Sequence, residues 1–252
     1  MKKTFMLFAI AAVLSVVLSA RQNDPAAILS KLKSFDQEVK NKQFSYRIYL
    51  LGIFPVGRAV LTDEGQVGFR GLNLYHLSAK ADSVGIVSKI YPFSANMDSY
   101  LEPKSLFPLI FLQAIKTNDK EIVKEVTYDQ SNHIMQIKEE RRSIMPETRE
   151  PLSALLKLRG LDLDKTTAFD LNINTNQKNY AFSGVVKKGM AKLGEKNIEL
   201  YRLSAKIFRR DKNPYHQSKV DFIFLNDEQK TPIFIKVFAS GGLITARLVG
   251  VK

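Results

Sequence analysis

The chain has 252 residues, a net charge of +13 and neither Cys nor Trp, and 45% of its residues are hydrophobic. This composition is typical of a globular rather than a disordered protein. Because there is no Cys, the sequence excludes disulfides, thiol nucleophiles, Cys-ligated zinc or iron–sulfur sites and lipidation of an N-terminal Cys.

Residues 1–20 have the order of a secretory signal peptide. Lys2 and Lys3 form a positive start, an uncharged stretch follows, and small residues precede a cleavage point after Ala20. Cleavage predicts a periplasmic protein. The alternative is an uncleaved helix that anchors the protein in the inner membrane, although the uncharged stretch is at the short limit for spanning a bilayer.

Removal of residues 1–20 removes two lysines and no acid, which leaves a net charge of +11 on 232 residues. This excess favours anionic lipid or an anionic envelope polymer as a partner, and it allows peripheral contact with a membrane. Nucleic acid is not expected as a partner because an exported protein seldom meets it. The alternative is that the charge only maintains solubility.

Residues 21–43 are predicted to contain an amphipathic helix over 25–41. Asp24 and Pro25 provide an N-cap and a first helical position, and apolar residues then recur at helical spacing. The polar face carries lysines. This helix could pack on the domain's own sheet or lie on a membrane surface.

Residues 44–252 are predicted to form a single antiparallel β domain, because apolar and polar residues alternate with a period of two. In the first half, Asp63-Glu64-Gly65 reads as a turn and residues 84–91 as a short helical turn. The predicted strands are 44–50, 58–61, 75–81, 97–101 and a meander of 109–116, 121–128 and 133–138.

The middle of the chain contains a charged segment and a short helix. We interpret residues 139–150 as a solvated loop, and residues 151–159 as a helix that ends at Gly160. Leu152, Leu155 and Leu156 of this helix are expected to face the core.

The second half again shows strand alternation, at 169–173, 180–182, 201–207 and 220–225. Residues 233–239 and 243–251 are joined by Ser240-Gly241-Gly242, which is a strong hairpin signal. Ten or more strands predict a mainly β fold: a large antiparallel curled sheet, open barrel or sandwich with an N-terminal helix and one or two short helices.

No catalytic motif is found. The sequence lacks a Gly-x-Ser-x-Gly elbow and a phosphate-binding loop, and its three histidines lack the paired spacing of a helical metal site. We therefore predict no catalytic residue, no metal and no cofactor. Paired carboxylates for hydrolysis leave no signal in sequence, so a carboxylate-dependent hydrolase remains an alternative.

Two features suggest a binding site. Residues 187–212 contain nine basic and three acidic residues, and Lys187, Lys188, Arg209 and Arg210 look like strand ends or turns. If these turns meet at one rim they form an anion-binding patch, and otherwise they are solvated surface. The apolar run 106–112 contains Phe107 and Phe111, which would either line an apolar groove or pack in the core.

The order of motifs resembles a family of exported bacterial proteins, domain of unknown function 3108. The resemblance covers about residues 44–250; it runs through Val56-Gly57-Arg58-Ala59, Tyr75-His76-Leu77-Ser78-Ala79, Met97-Asp98-Ser99-Tyr100-Leu101, Val126-Thr127-Tyr128-Asp129, Pro151-Leu152-Ser153-Ala154-Leu155-Leu156-Lys157-Leu158-Arg159 and Gly242-Leu243-Ile244-Thr245-Ala246-Arg247-Leu248. The family often has Asp before the helix's Leu-Ser, where this chain has Pro151. The resemblance implies a curled antiparallel sheet around short helices and no established catalytic residue.

From these observations we predict an exported envelope protein that binds or carries an anionic amphiphile, lipid or glycan, without catalysis. Lys187, Lys188, Arg209 and Arg210 would supply the charge, and Phe107 and Phe111 the apolar wall. The alternatives are a protein-interaction or envelope-assembly module that works through sheet edges and the 25–41 helix, with an unknown protein partner, and a hydrolase that uses two facing carboxylates.

Overall fold

The computed structural model describes residues 42–193, 195–210, 218–239 and 242–252. The predicted signal peptide, the predicted 25–41 helix, His216 and the hairpin positions 240 and 241 lie outside these residues. Within them, no helix is both long enough and apolar enough to cross a membrane.

The described residues form one antiparallel sheet of fourteen strands and two short helices. Helix α1 is Gly85–Ile90, and helix α2 is Pro151–Arg159. The strands are β1 (Lys42–Leu50), β2 (Phe54–Phe69), β3 (Leu72–Ser83), β4 (Phe93–Leu101), β5 (Pro108–Thr117), β6 (Glu121–Asp129), β7 (Ile134–Ile137), β8 (Glu140–Ser143), β9 (Ala168–Thr175), β10 (Lys178–Leu193), β11 (Lys196–Arg209), β12 (Ser218–Leu225), β13 (Pro232–Ala239) and β14 (Gly242–Val251).

The sheet is a meander with a single long-range pairing. Strands β1 to β8 pair in chain order, β9 to β14 do the same, and β1 pairs with β14 to join the two halves. The two ends of the sheet are therefore β8 and β9. No ladder joins them, so the sheet is not closed into a barrel, and the prediction of a large, mainly β, antiparallel curled sheet is confirmed.

One local prediction in the first half is wrong. Asp63-Glu64-Gly65 is not a turn, because β2 continues through it to Phe69 and the pairing with β3 shifts register there. Gly65 has φ +70°, which allows the chain to absorb the extra residue as a bulge. The turn itself lies at Arg70 and Gly71, both in the left-handed region.

The segment 139–150 is also not a solvated loop. It contains β8, and its last three residues, Thr148, Arg149 and Glu150, are buried. Charged residues are rarely buried unless they have partners. The many charged residues of this segment therefore led to the prediction of a solvated loop. The structure supplies the partners.

Helix α2 joins the two halves of the core. Its Leu152 belongs to the cluster that contains Phe44, Leu77 and Phe111. Its Ala154 and Leu158 belong to the cluster formed by β9 to β12. The face of the sheet that contacts α2 is the inner face. The predicted helix bounds and Gly160 as the C-cap are confirmed, and Leu155 and Leu156 are partly buried at the core.

Both ends of α2 are held by charged side chains. At the start, Glu150 is fully buried and accepts hydrogen bonds from the backbone N–H groups of Leu152 and Ser153 and from the Ser99 hydroxyl of β4, at 2.7, 2.5 and 2.7 Å. At the end, the Arg159 guanidinium lies 3.7 Å from Asp63 of β2 and donates to the Gln229 carbonyl. Burial raises the pKa of Glu150, and its hydrogen bonds only partly offset this.

This raised pKa predicts that Glu150 makes stability depend on pH. When the pKa of a carboxyl group is higher in the folded than in the unfolded state, the protonated group stabilises the fold. This contribution is at its full size below the unfolded pKa of about 4.3 and is lost as the pH rises through the folded pKa. Each unit of elevation corresponds to about 1.4 kcal/mol. Denaturant unfolding from pH 4 upward should therefore show wild type losing stability relative to Glu150→Gln as the pH rises.

Glu150→Gln also loses an acceptor for one backbone N–H, which lowers its stability at every pH. The informative result is therefore the direction in which the stability difference from wild type changes with pH. Ser99→Ala serves as a control that removes one hydrogen bond and keeps the carboxyl group. A stability difference between wild type and Glu150→Gln that does not change with pH would contradict the assignment.

Candidate functional site

The two ends of the sheet approach each other along a seam, the line between β8 and β9 that residues 144–149 fill. The Arg149 N–H donates to the Asn172 carbonyl at 2.9 Å, and the Asn174 N–H donates to the Arg149 carbonyl at 2.8 Å. The Asn172 side chain donates to the Pro146 carbonyl at 2.8 Å, and the Asn179 side chain to the Ser143 carbonyl at 3.0 Å. Two backbone hydrogen bonds and two side-chain amides therefore hold the seam, where a full backbone ladder joins the strands elsewhere in the sheet.

A cavity of about 140 Å³ lies beside the seam on the inner face. Its floor comes from β4 to β7 and is largely apolar. Its opposite side is the turn between β9 and β10, together with Pro151 at the start of α2. The lining residues are Met97, Phe111, Gln113, Lys124, Val126, Tyr128, Ile137, Pro151, Asn174, Thr175, Asn176 and Gln177.

Two polar side chains interrupt the apolar floor of this cavity, and they are direct neighbours. Gln113 of β5 pairs in register with Lys124 of β6 on one side and with Met97 of β4 on the other. Gln113 is only 9% exposed, and within the described residues its amide makes no hydrogen bond. Among the same residues, Lys124 has no acidic partner. Neighbouring side chains on one face lie about 5 Å apart, so one ligand could contact both.

Of the two predicted aromatic wall residues, the structure brings only Phe111 to the cavity. Phe107 precedes β5 and lies under the Arg149 guanidinium, whose carbon is 4.5 Å from the ring centre. Arg149 also donates to the carbonyls of Leu106 and Ser105, at 2.6 and 3.3 Å. Phe107 therefore helps to fix the β4–β5 loop against the seam.

The predicted basic pairs do not lie in turns at one rim. Lys187 and Lys188 lie inside β10, opposite Arg202 and Tyr201 of β11, whereas Arg209 ends β11 opposite Tyr180. Arg202, which lies level with Lys187, is seven residues from Arg209 along β11. This corresponds to a distance of roughly 23 Å between the two predicted pairs. Four side chains so arranged cannot contact one small anion together.

Lys188 and Arg210 are engaged by other side chains. The Lys188 ammonium lies 3.1 Å from Asp164 and 3.2 Å from Glu199, and these two hydrogen bonds raise its pKa. Hydrogen bonds from Asn226 and Lys188 lower the pKa of Glu199. Arg210 donates to the Asn172 side chain at the seam. Lys187 is exposed on the outer face, the face opposite α2.

The described residues offer little for acid–base or metal chemistry. Glu150 has a raised pKa, but its oxygens are occupied by Ser99 and the first turn of α2, so it acts as a helix cap. No group of three or more potential metal ligands is found in the described part of the chain. His76 pairs with Asp98 at 3.0 Å and stacks on Tyr100.

The sheet ends are poorly suited to pairing with another chain. Strand β8 has four exposed residues, of which three are charged, and a short charged edge discourages edge-to-edge association. The edge of β9 is already engaged by Arg149.

The sequence matches the model of the family described as "Protein of unknown function (DUF3108)" over residues 45–249. The chain belongs to the DUF3108 family. No curated protein sequence matches it.

Two solved structures that match this chain come from other families of unknown function. A β-barrel-like DUF1849 protein from Brucella abortus superposes with a TM-score of 0.60 at 11% identity, covering 85% of this chain and 98% of that one. A DUF1089 protein from Pseudomonas aeruginosa gives a TM-score of 0.42 at 9% identity, covering 71% and 88%. The first likeness shows that the fold is shared with β-barrel-like proteins.

Sequence reasoning missed Gln113 and Lys124, although the signal was present. Both share the alternation of the apolar residues around them: Gln113 lies between Phe111 and Ile115, and Lys124 lies two residues before Val126. A polar residue at an inward position of a half-buried strand is the pattern that would have identified them.

The side-chain bonds of Asn172 are predicted to hold the seam of this DUF3108 protein together. Asn172→Ala removes its bond to Pro146 and its acceptor for Arg210. One hydrogen bond contributes about 1 kcal/mol, so hydrogen exchange at the Asn174 amide should accelerate about fivefold for each bond lost. Asn73→Ala, which removes an exposed side-chain bond within the β2–β3 hairpin, is the control. Equal exchange at Asn174 in both variants would show that the side chain does not hold the seam.

Proposed function

We propose that this DUF3108 protein is an exported, non-enzymatic binding protein, and that the cavity beside the seam receives a small anionic amphiphile. Export is expected from residues 1–20, and the net positive charge is consistent with an anionic ligand. The observation that carries the proposal is Gln113, a polar side chain that is 91% buried, lines the cavity and has no hydrogen-bond partner among the described residues.

The cavity matches an amphiphile in its chemistry. An apolar group would pack on Met97, Phe111 and Val126, and burying that surface provides the main favourable free energy. A carboxylate or phosphate oxygen would accept from the Gln113 amide and the Lys124 ammonium. A hydrogen bond to a charged group contributes about 1.5–3 kcal/mol, so an anionic oxygen that accepts from the Gln113 amide would add to the affinity.

The volume limits what the cavity can enclose. An apolar cavity of about 150 Å³ holds one benzene molecule. At about 140 Å³, this cavity suits a single ring or the end of a chain rather than a whole acyl chain. The proposed ligand therefore enters by its apolar tip, and its anionic group stays near Lys124.

We expect phenylacetate to bind and 2-phenylethanol, which lacks the charge, to bind at least tenfold more weakly, since a hydrogen bond to a charged group contributes about 1.5–3 kcal/mol. Binding would be followed by NMR on the methyl groups of Met97 and Val126. Lys124→Gln should abolish the preference for the carboxylate. Lys116→Gln, an exposed cation on β5, is the matched control and should not change the preference.

A second variant tests the cavity itself. Val126→Phe should fill the space and block both probes, and its melting temperature, measured in parallel, confirms that the variant is folded. If neither probe shifts the methyl signals of the wild type, or if Val126→Phe binds as well as the wild type, the proposal is wrong.

A further inference from the structure

The outer face of strands β10 to β13 carries a cluster of cations that the cavity does not use. In register, Lys187 of β10 lies opposite Arg202 of β11, and Lys206 of β11 lies opposite Lys219 of β12. All four are exposed. We call these four residues the outer basic patch.

The outer basic patch has few acidic neighbours. Asp170 of β9 is exposed and lies in the row of Lys206 and Lys219, separated from Lys206 by Ser183 of β10. Asp221 and Lys236 lie in the row between its two pairs, and they form an ion pair with each other at 3.7 Å. Within the residues that the structure describes, none of the four patch cations makes an ion pair. By contrast, Lys188 on the inner face of the same strand has two acidic partners.

Like charges directly opposite each other on neighbouring strands destabilise a sheet. This sheet has two such pairs in adjacent strands, within about 13 Å of each other along the strand. Anionic groups that bind at the patch would offset this repulsion, because each cation would be attracted to a nearby anion.

Apolar side chains lie beside the cations. Phe238 of β13 is 53% exposed and pairs in register with Lys219, and Val185 of β10 is 46% exposed and lies two residues from Lys187. Exposed aromatic and basic side chains together are typical of proteins that bind at a membrane surface, where the cations meet phosphate groups and the apolar side chain enters the interface.

From these observations we infer that the outer basic patch docks the protein on an anionic lipid bilayer. The occupant is a bilayer surface rather than a single ion, because the four cations are spread over β10, β11 and β12 on one face. This inference does not depend on the cavity, which lies on the inner face.

The test is flotation with vesicles of phosphatidylglycerol and phosphatidylcholine, and with phosphatidylcholine alone. The protein is recovered from an exporting bacterial host, with the same N-terminus in every variant. One variant combines K187Q, R202Q, K206Q and K219Q. The matched control combines K89Q, K104Q, K116Q and K120Q, which removes the same charge from exposed positions in the first half of the chain.

Each basic residue near an anionic surface contributes about 1 kcal/mol, so the patch variant should lose about two to three orders of magnitude in its partition onto anionic vesicles. The control should lose much less. Raising the salt to about 0.5 M should release the wild type, because screening shortens the range of the attraction. Phe238→Ser should weaken binding without changing the charge.

Stability provides a second readout. Because the patch variant removes two repulsive pairs, its melting temperature at low salt should be equal to or higher than that of the wild type. Equal loss of binding in the patch and control variants would overturn the inference, since it would show a net-charge effect. Binding to soluble polyphosphate without binding to vesicles would also overturn it, in favour of an anionic polymer.

Discussion

The structure depends on helix α2 lying against the inner face of the curled sheet. A curled fourteen-stranded sheet whose two ends are joined by no ladder needs an internal element to fix its curvature. Helix α2 does this by supplying Leu152 to one core cluster and Ala154 and Leu158 to the other. Its ends are tied to β4 through Glu150 and to β2 through Arg159. Burying these two charged side chains costs free energy, and each has several partners in the structure. Because those partners lie on particular strands, they fix the position of the helix along the sheet.

The same helix explains why the seam and the cavity occur together. Pro146 has no N–H to donate and Glu147 has a left-handed backbone, so the segment that leads into α2 cannot continue as a strand beside β9. Among the described residues, Arg149 alone makes a backbone bridge to β9, and asparagine side chains supply further contacts. Beside this incomplete junction the inner faces of β4 to β7 are not fully covered, and the cavity is the uncovered space. An element that filled it would also have to satisfy Gln113.

Alternation in the sequence predicted a strand within each of the fourteen except β8, which is exposed throughout and has no buried face. Turn residues predicted the meander, and Ser240-Gly241-Gly242 predicted the hairpin of β13 and β14. The helix α2 was predicted from its Pro and Gly punctuation. The predictions that failed concerned residue types that are compatible with two different local structures. Asp63-Glu64-Gly65 is equally suited to a turn and to a bulge, and the long pairing of β2 with β3 decides for the bulge. Arg149 and Glu150 looked solvated because their partners are about 40 to 50 residues away in sequence.

The basic residues show most clearly what sequence alone could not distinguish. Lys187 and Lys188 are adjacent in sequence, but strand geometry sends them to opposite faces of the sheet. Lys188 forms ion pairs with two acids, whereas Lys187 faces Arg202 in a patch that makes no ion pair in the described residues. Lys124 is isolated in sequence, yet its register beside Gln113 places it in the cavity. Local charge density therefore does not show which of these cations has an acidic partner. What decides the chemistry of each cation is the face it occupies and whether an acid shares that face.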